Sequence, residues 1–212
     1  MTEEAGTSTG ALARHAGPLL AGVLFLVSAA AALLRGDAGA AVIPVVLLPA
    51  LVPPVVVEKW AAVRIPARLL VLYTLLLVGG PYLGTHLDLY SVWAPWDTAV
   101  HFYSGFVVGL GAVFVLGVTA LRYGLDLPPW FEAVFVLAAG TTVAVLWEVA
   151  EFAADGLIGT EAQQDNLDTM QDLVAGGTSA ALVAAALLLF RSRGWFASLA
   201  PLRRVSRHPA AA

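Results

Sequence analysis

Three pairs of ionisable residues in the second half of the sequence have spacings that place both members on one face of a helix. The pairs are Asp97/His101, Glu148/Glu151 and Asp168/Asp172. Two side chains one turn apart can contribute two ligands to the same cation. Carboxylates with an imidazole suit Zn²⁺, Mn²⁺, Mg²⁺ or Fe²⁺, and a chain without cysteine has no thiolate ligand or Cys nucleophile. The pattern predicts a divalent-metal site.

The acids of this region have no basic residue among them. No Lys or Arg occurs between Arg122 and Arg191, and within that stretch seven acids fall in the twenty-five residues from Glu148 to Asp172. They are Glu148, Glu151, Asp155, Glu161, Asp165, Asp168 and Asp172. Like charges at helical spacing destabilise a helix, and ionisable groups within a membrane are costly. A bound metal would compensate for both costs. The alternative is that neighbouring carboxyls share protons, which would suit a proton pathway.

Membrane-spanning helices must position these residues. Of 212 residues, 59% are hydrophobic and 12% are charged, and the mean hydropathy is +0.83. A soluble domain is about half apolar and about a quarter charged, so the excess must face lipid. The composition excludes a soluble domain, and a net charge of −4 gives no basis for nucleic-acid binding.

Six windows are long and apolar enough to cross a hydrocarbon core of about 30 Å. They are Pro18–Leu34, Ala40–Val57, Leu69–Gly84, Thr98–Leu121, Phe131–Phe152 and Leu173–Phe190. The pattern predicts an all-α fold, a polytopic transmembrane helical bundle in which residues 1–212 form a single domain. Pro53 and Pro54 predict a break near the end of the second span, because proline lacks the N–H that a helix uses.

The distribution of basic residues predicts that both termini are cytoplasmic. Ten of the eleven fall on one side of the six spans, and only Arg35 falls on the other. All three acidic pairs then meet at the extracytoplasmic face. The basic tail, Arg191–His208, is interpreted as an anchor to anionic lipid headgroups.

Other conspicuous residues are interpreted as structural. Asp155 and Glu161 are expected to be solvated surface acids, and His15 and His86 have no partner at a recognisable spacing. Trp93, Trp96, Tyr90 and Tyr103 are typical of an interfacial aromatic belt. Five glycines are expected to allow close helix packing, namely Gly105, Gly109, Gly111, Gly176 and Gly177.

The motifs occur in a fixed order along the second half of the chain. They are Trp96-Asp97-Thr98-Ala99-Val100-His101-Phe102, Trp147-Glu148-Val149-Ala150-Glu151, and the segment from Asp165 to Asp172 with Gly176 after it. This set, within Asp88 to Gly177, resembles the YjdF-like family of small bacterial integral membrane proteins. The resemblance implies a bacterial plasma-membrane protein in which these motif residues occupy the positions of the family's motif residues. It implies no reaction. A distant similarity to VanZ-like proteins rests on Asp97, His101 and Phe102 and points to the cell envelope.

A further likeness concerns phosphate chemistry. The segment from Gln164 to Asp172 is similar to the aspartate-rich Mg²⁺–diphosphate motif of UbiA-type prenyltransferases, although the second aspartate motif of that family is absent. What carries over is the principle that carboxylates hold a divalent cation against a phosphate.

The predicted function is that of a metal-dependent membrane hydrolase or transferase acting on a lipid or lipid-linked phosphate. Its metal ligands would be Asp97, His101, Glu148 and Glu151, with Asp165, Asp168 and Asp172 completing the site. Asp168 or Asp172 would act as general base. The cofactor would be a divalent metal ion, and the partners would be membrane lipids. The alternatives are an ion- or proton-coupled transporter and a non-catalytic envelope protein with a structural metal.

Overall fold

The computed structural model describes residues 2–160, 162–163 and 165–205, with side chains from Arg14 onward except that of Ile158. The described residues form helices and no strand. Six helical segments are long and apolar enough to cross a membrane. They are Arg14–Leu34, Ala38–Ala61, Ala67–His86, Pro95–Tyr123, Pro129–Leu157 and Asn166–Arg193. The predicted all-α, six-span bundle is confirmed, with most helices extending beyond the predicted windows.

The helices group into two compact units, residues up to Trp93 and residues from Ala94 onward. Unit 1 contains α1 (Thr2–Leu34), α2 (Ala38–Ala50), α3 (Pro53–Ala61), α4 (Ala67–Leu77) with its π-helical continuation (Val78–His86), and α5 (Leu89–Val92). Unit 2 contains α6 (Pro95–Tyr123), α7 (Pro129–Ile158), α8 (Asn166–Arg193), a 3₁₀ turn (Ala197–Leu199) and α9 (Ala200–Arg203).

The predicted break in the second span lies between α2 and α3. Pro54 has no N–H to donate to the Ala50 carbonyl one turn earlier. The hydroxyl of Tyr73 on α4 donates to that carbonyl instead, at 2.6 Å. The carbonyl left open at the break therefore has a donor, and this hydrogen bond joins α4 to the end of α2.

An ion pair and further polar contacts join the helices of unit 1. A guanidinium nitrogen of Arg14 on α1 lies 2.5 Å from a carboxylate oxygen of Glu58 on α3. The same carboxylate accepts the backbone N–H of Ile65 at 2.7 Å. Further along α1, the hydroxyls of Ser28 and Tyr82 are 2.7 Å apart.

The three long helices of unit 2 pack on one another through small residues. A Cβ added at Gly105 on α6 would overlap the backbone carbonyl of Gly176 and the hydroxyl of Ser179, both on α8. The predicted packing role is therefore confirmed for Gly105 and Gly176, and a Cβ at Gly109 would likewise press on α8. It is wrong for Gly111, where an added Cβ would meet nothing within 4 Å.

Gly105 and Gly111 form a matched pair for a stability measurement. We expect Gly105→Ala to lower the free energy of unfolding by about 1–3 kcal/mol, because overpacking forces the backbones apart. Gly111→Ala should leave it unchanged or raise it by about 0.5–1 kcal/mol, because alanine favours a helix over glycine. Thermal melting in detergent compares the two variants. Equal midpoints would contradict the close approach of α6 and α8.

Candidate metal centre

Helix α6 contributes Asp97 and His101 to a buried polar cluster. Asp97 lies in the first turn, where the helix dipole favours an acid, and His101 lies six residues into the helix, about 9 Å from its start. Only 8% of Asp97 and 3% of His101 is exposed. A carboxylate oxygen of Asp97 lies 3.5 Å from Nε2 of His101, so the predicted pairing one turn apart is present.

Helix α7 brings Glu148 and Glu151 to the other side of the imidazole. Oε1 of Glu148, which is 5% exposed, lies 3.5 Å from Nδ1 of His101. Glu151 is half-buried, and its carboxylate accepts a hydrogen bond from the indole N–H of Trp147 at 2.9 Å. The Trp147 ring also stands edge-on to the imidazole, with 6.5 Å between ring centres. Sequence reasoning missed this role of Trp147, although its position four residues before Glu151 was a signal.

Helix α8 completes the cluster with Asp172, which is 2% exposed. Ligand atoms of Asp97, His101 and Asp172 lie within 4.8 Å of one another, and the same holds for His101, Glu148 and Glu151. Five predicted ligands therefore converge, in two groups that share His101.

Two oxygens in this cluster are buried without a hydrogen-bond partner. They are Oε1 of Glu148 and Oδ1 of Asp172, one in each group. A buried acceptor left without a partner costs about 1–3 kcal/mol, and more when it is charged. Within the described residues, no Lys or Arg forms an ion pair with the four acids of the cluster. The chemistry of these oxygens fits a cation bound between them.

The other two predicted ligands lie outside both groups of the described residues. Asp165 is exposed and caps the start of α8, where its Oδ1 accepts the N–H groups of Leu167 at 2.8 Å and Asp168 at 3.0 Å. A cap is the ordinary role of an aspartate in this position. Asp168 is half-buried, one turn before Asp172 on the same helix.

Hydrogen bonds hold the loop between α7 and α8 next to the cluster. Asp155, predicted to be a solvated acid, is half-buried and organises this loop. Its carboxylate accepts hydrogen bonds from the Thr160 hydroxyl and from the N–H groups of Ala162 and Gln163. The Gln163 amide in turn donates to the Glu148 carbonyl at 3.4 Å. Glu161 and Gln164 lie outside the described residues.

An open cleft of about 720 Å³ lies between the beginnings of α6 and α8. Its α6 wall is mainly apolar and its α8 wall is mainly polar. The main lining residues are Pro95, Thr98, Ala99 and Phe102 on one side and Asp165, Asp168 and Gln171 on the other. The cleft adjoins the two helices that carry Asp97 and Asp172.

The opposite end of unit 2 contains a fully buried acid, Glu132 at the start of α7. Its Oε1 accepts two hydrogen bonds from Arg203 at 3.0 and 2.5 Å, and its Oε2 lies 3.1 Å from Nε of Arg191. The interpretation of the basic tail as a lipid anchor is wrong for these two arginines, because they neutralise Glu132 inside the protein. Arg207 and His208 lie outside the described residues.

Comparisons with known proteins agree with this architecture. An uncharacterized protein of Thermotoga maritima is 31% identical over 122 residues, which are 57% of this chain and 62% of that protein. The chain thus spans less than two thirds of the length of this relative. No solved structure matches the chain. A family model described as "Predicted membrane protein (DUF2238)" matches residues 17–193, from within the first candidate membrane helix to the end of the sixth. The chain is therefore a multi-pass membrane protein that belongs to the DUF2238 family.

Proposed function

We propose that the protein binds a divalent metal ion in the centre formed by α6, α7 and α8 and hydrolyses a phosphate ester of a membrane lipid or lipid-linked molecule. The observation that carries this proposal is the convergence of four acids on one histidine, with two buried oxygens lacking a partner. Without a cation, like charges would meet in a low dielectric, where their repulsion is strong.

The ligand types narrow the choice of metal. Carboxylates with one imidazole nitrogen suit Zn²⁺, Mn²⁺, Mg²⁺ or Fe²⁺. A bound ion of this kind would polarise a phosphoryl oxygen and lower the pKa of a coordinated water. Asp97, His101 and Asp172 would hold it beside the cleft.

The cleft supplies the other parts that hydrolysis needs. Phe102 and Ala99 form an apolar wall that suits a lipid chain, and Asp168 lies on the polar wall. Asp168 lines the cleft and belongs to neither ligand group of the described residues, so we assign it the role of general base. In that role it takes the proton of the attacking water while the phosphorus–oxygen bond to the lipid breaks, and it then delivers the same proton to the leaving oxygen.

The hydrolase is tested by release of inorganic phosphate from phosphatidic acid or a polyprenyl phosphate in detergent micelles. We expect release that depends on Mn²⁺ or Zn²⁺ and falls by about 10²–10⁴-fold in Asp168→Asn, while metal content is retained. Asp126→Asn serves as the control, because the Asp126 side chain is 98% exposed at the other end of unit 2. If neither substrate releases phosphate in a metal-dependent manner, the proposed hydrolase activity is refuted.

A transporter, the alternative class, needs a second ionisable station along the bundle. The buried acid at the other end of unit 2 is Glu132, and both of its oxygens are paired with arginine. Glu132 is therefore not available to a translocated ion, which favours the enzyme.

We also propose that the chain resides in a bacterial plasma membrane with both termini in the cytoplasm and the metal centre at the extracytoplasmic face. The excess of basic residues on one side supports this orientation. The bacterial relative and the YjdF-like motifs support the location.

Reporter fusions test the orientation. A reporter placed within Leu34–Ala40 should be active outside the cytoplasm, and one placed after Phe190 should be active inside it, because these points flank an odd number of spans. The same location for both reporters would contradict the topology.

A further inference from the structure

We infer that the centre binds two divalent cations, one on each side of the His101 imidazole, which bridges them. This inference rests on the proposed function, since it concerns the same ligands. It assigns one ion to Asp97 and Asp172 and the other to Glu148 and Glu151.

The orientation of the His101 ring supports two ions. Nε2 of His101 faces Asp97 and Nδ1 faces Glu148, each at 3.5 Å from a carboxylate oxygen. The two ring nitrogens therefore point to different acids, on different helices. Asp97 and Glu148 belong to different three-residue groups that share His101, and the ligand atoms of each group lie within 4.8 Å of one another.

The two carboxylate oxygens that lack a hydrogen-bond partner also support two ions. Each group contains one buried carboxylate oxygen that accepts no hydrogen bond, Oδ1 of Asp172 in one and Oε1 of Glu148 in the other. A single ion placed in either group would satisfy one of these oxygens and leave the other unpaired. An ion in each group satisfies both.

The negative charge of the four carboxylates likewise favours two divalent ions over one. Four ionised carboxylates carry four negative charges, and the described residues supply no Lys or Arg that pairs with them. One divalent ion would leave two charges uncompensated in a buried site, which is costly. Two divalent ions balance all four charges. The competing arrangement is one ion with two protons.

Binding of both ions changes the state of the imidazole. A neutral imidazole has one nitrogen that can bind metal and one that carries a proton. When the second ion binds, a nitrogen–metal bond replaces that N–H bond, and the proton leaves to bulk water. The ring is then an imidazolate shared between the ions, and the centre carries one net negative charge, against two with a single ion and a neutral ring.

The two ions have different surroundings. The ligands Asp97 and Asp172 lie on α6 and α8, the helices that line the cleft. Glu148 and Glu151 lie on α7, which contributes no residue to the lining of that cleft. The Asp97/Asp172 ion is therefore assigned to substrate, because its two carboxylates adjoin the lining residues Thr98 and Gln171 in sequence, and the Glu148/Glu151 ion is assigned to holding α7 in place.

Metal stoichiometry is the first test. Protein stripped with chelator is saturated with Mn²⁺ or Zn²⁺, desalted, and analysed for bound metal per chain. We expect two ions in the wild type, one in Asp172→Asn, one in Glu151→Gln, and two in the Asp126→Asn control. One ion in the wild type would overturn the two-ion inference and leave the proposed function standing. No bound ion would remove the metal basis of both.

Loading with Cu²⁺, which binds nitrogen and oxygen ligands more tightly than the other divalent ions, tests the bridge without any substitution. Electron paramagnetic resonance should show two magnetically coupled Cu²⁺ ions in the wild type. Two uncoupled ions would contradict a bridging His101. The signal of an isolated ion in the wild type would contradict the pair altogether.

Discussion

Chelation of divalent cations is expected to lower the thermal midpoint of the detergent-solubilised protein by about 5–10 °C. A ligand that binds only the native state contributes RT ln(1 + [L]/Kd), about 2.7 kcal/mol at a hundredfold excess over Kd. For a chain of this size, each kcal/mol corresponds to about 2–4 °C. Removing the ion restores the repulsion among Asp97, Glu148 and Asp172, which the described residues do not offset with Lys or Arg. Adding back a single kind of divalent ion should restore the midpoint.

Two histidine variants separate a specific site from general effects of chelator. His101→Ala should abolish most of the shift, because both ligand groups include His101. His86→Ala should keep it, because His86 contacts the ring of Tyr82 and belongs to neither group of the described residues. If chelator leaves the wild-type midpoint unchanged while mild acid raises it, the acids share protons and the metal proposal fails.

Glu132→Gln is expected to cost about 3–5 kcal/mol of unfolding free energy, the range for removing one partner of a buried ion pair. The substitution leaves the guanidinium groups of Arg191 and Arg203 without their buried counter-charge. It should also release α9, which Arg203 attaches to α7. Chemical unfolding in detergent measures the loss.

The control for this variant is Asp126→Asn. Asp126 also pairs with Arg191, at 3.4 Å, but its side chain is 98% exposed, so we expect a cost of about 0–1 kcal/mol. Similar losses in the two variants would show that burial of Glu132 does not carry the effect.

The helical spacing of Asp97/His101 and Glu148/Glu151 made the centre of the cluster predictable from sequence, because each pair lies within one helix. Asp165 was harder to assign. The apolar window of the last span began at Leu173, whereas α8 begins at Asn166, because its first two turns are helical but polar. A hydropathy pattern does not detect such turns, so it assigns the capping residue to a loop, where it was predicted to be a metal ligand.

Glu132 was missed because its partners are distant in sequence. Arg203 is 71 residues away, and no basic residue lies one turn from Glu132 in α7. Only the packing of α7 against α8, and of α9 against α6, brings these charges together. The position of His101 between two sets of acids is likewise tertiary, since it requires α6 and α8 to approach closely at Gly105 and Gly176.

X-ray absorption of the zinc-loaded protein tests the metal centre most directly. We expect nitrogen and oxygen ligands at about 2.0–2.2 Å, with the scattering pattern of a coordinated imidazole that disappears in His101→Ala and persists in His86→Ala. Zinc bound without an imidazole, or an imidazole signal that survives His101→Ala, would contradict it.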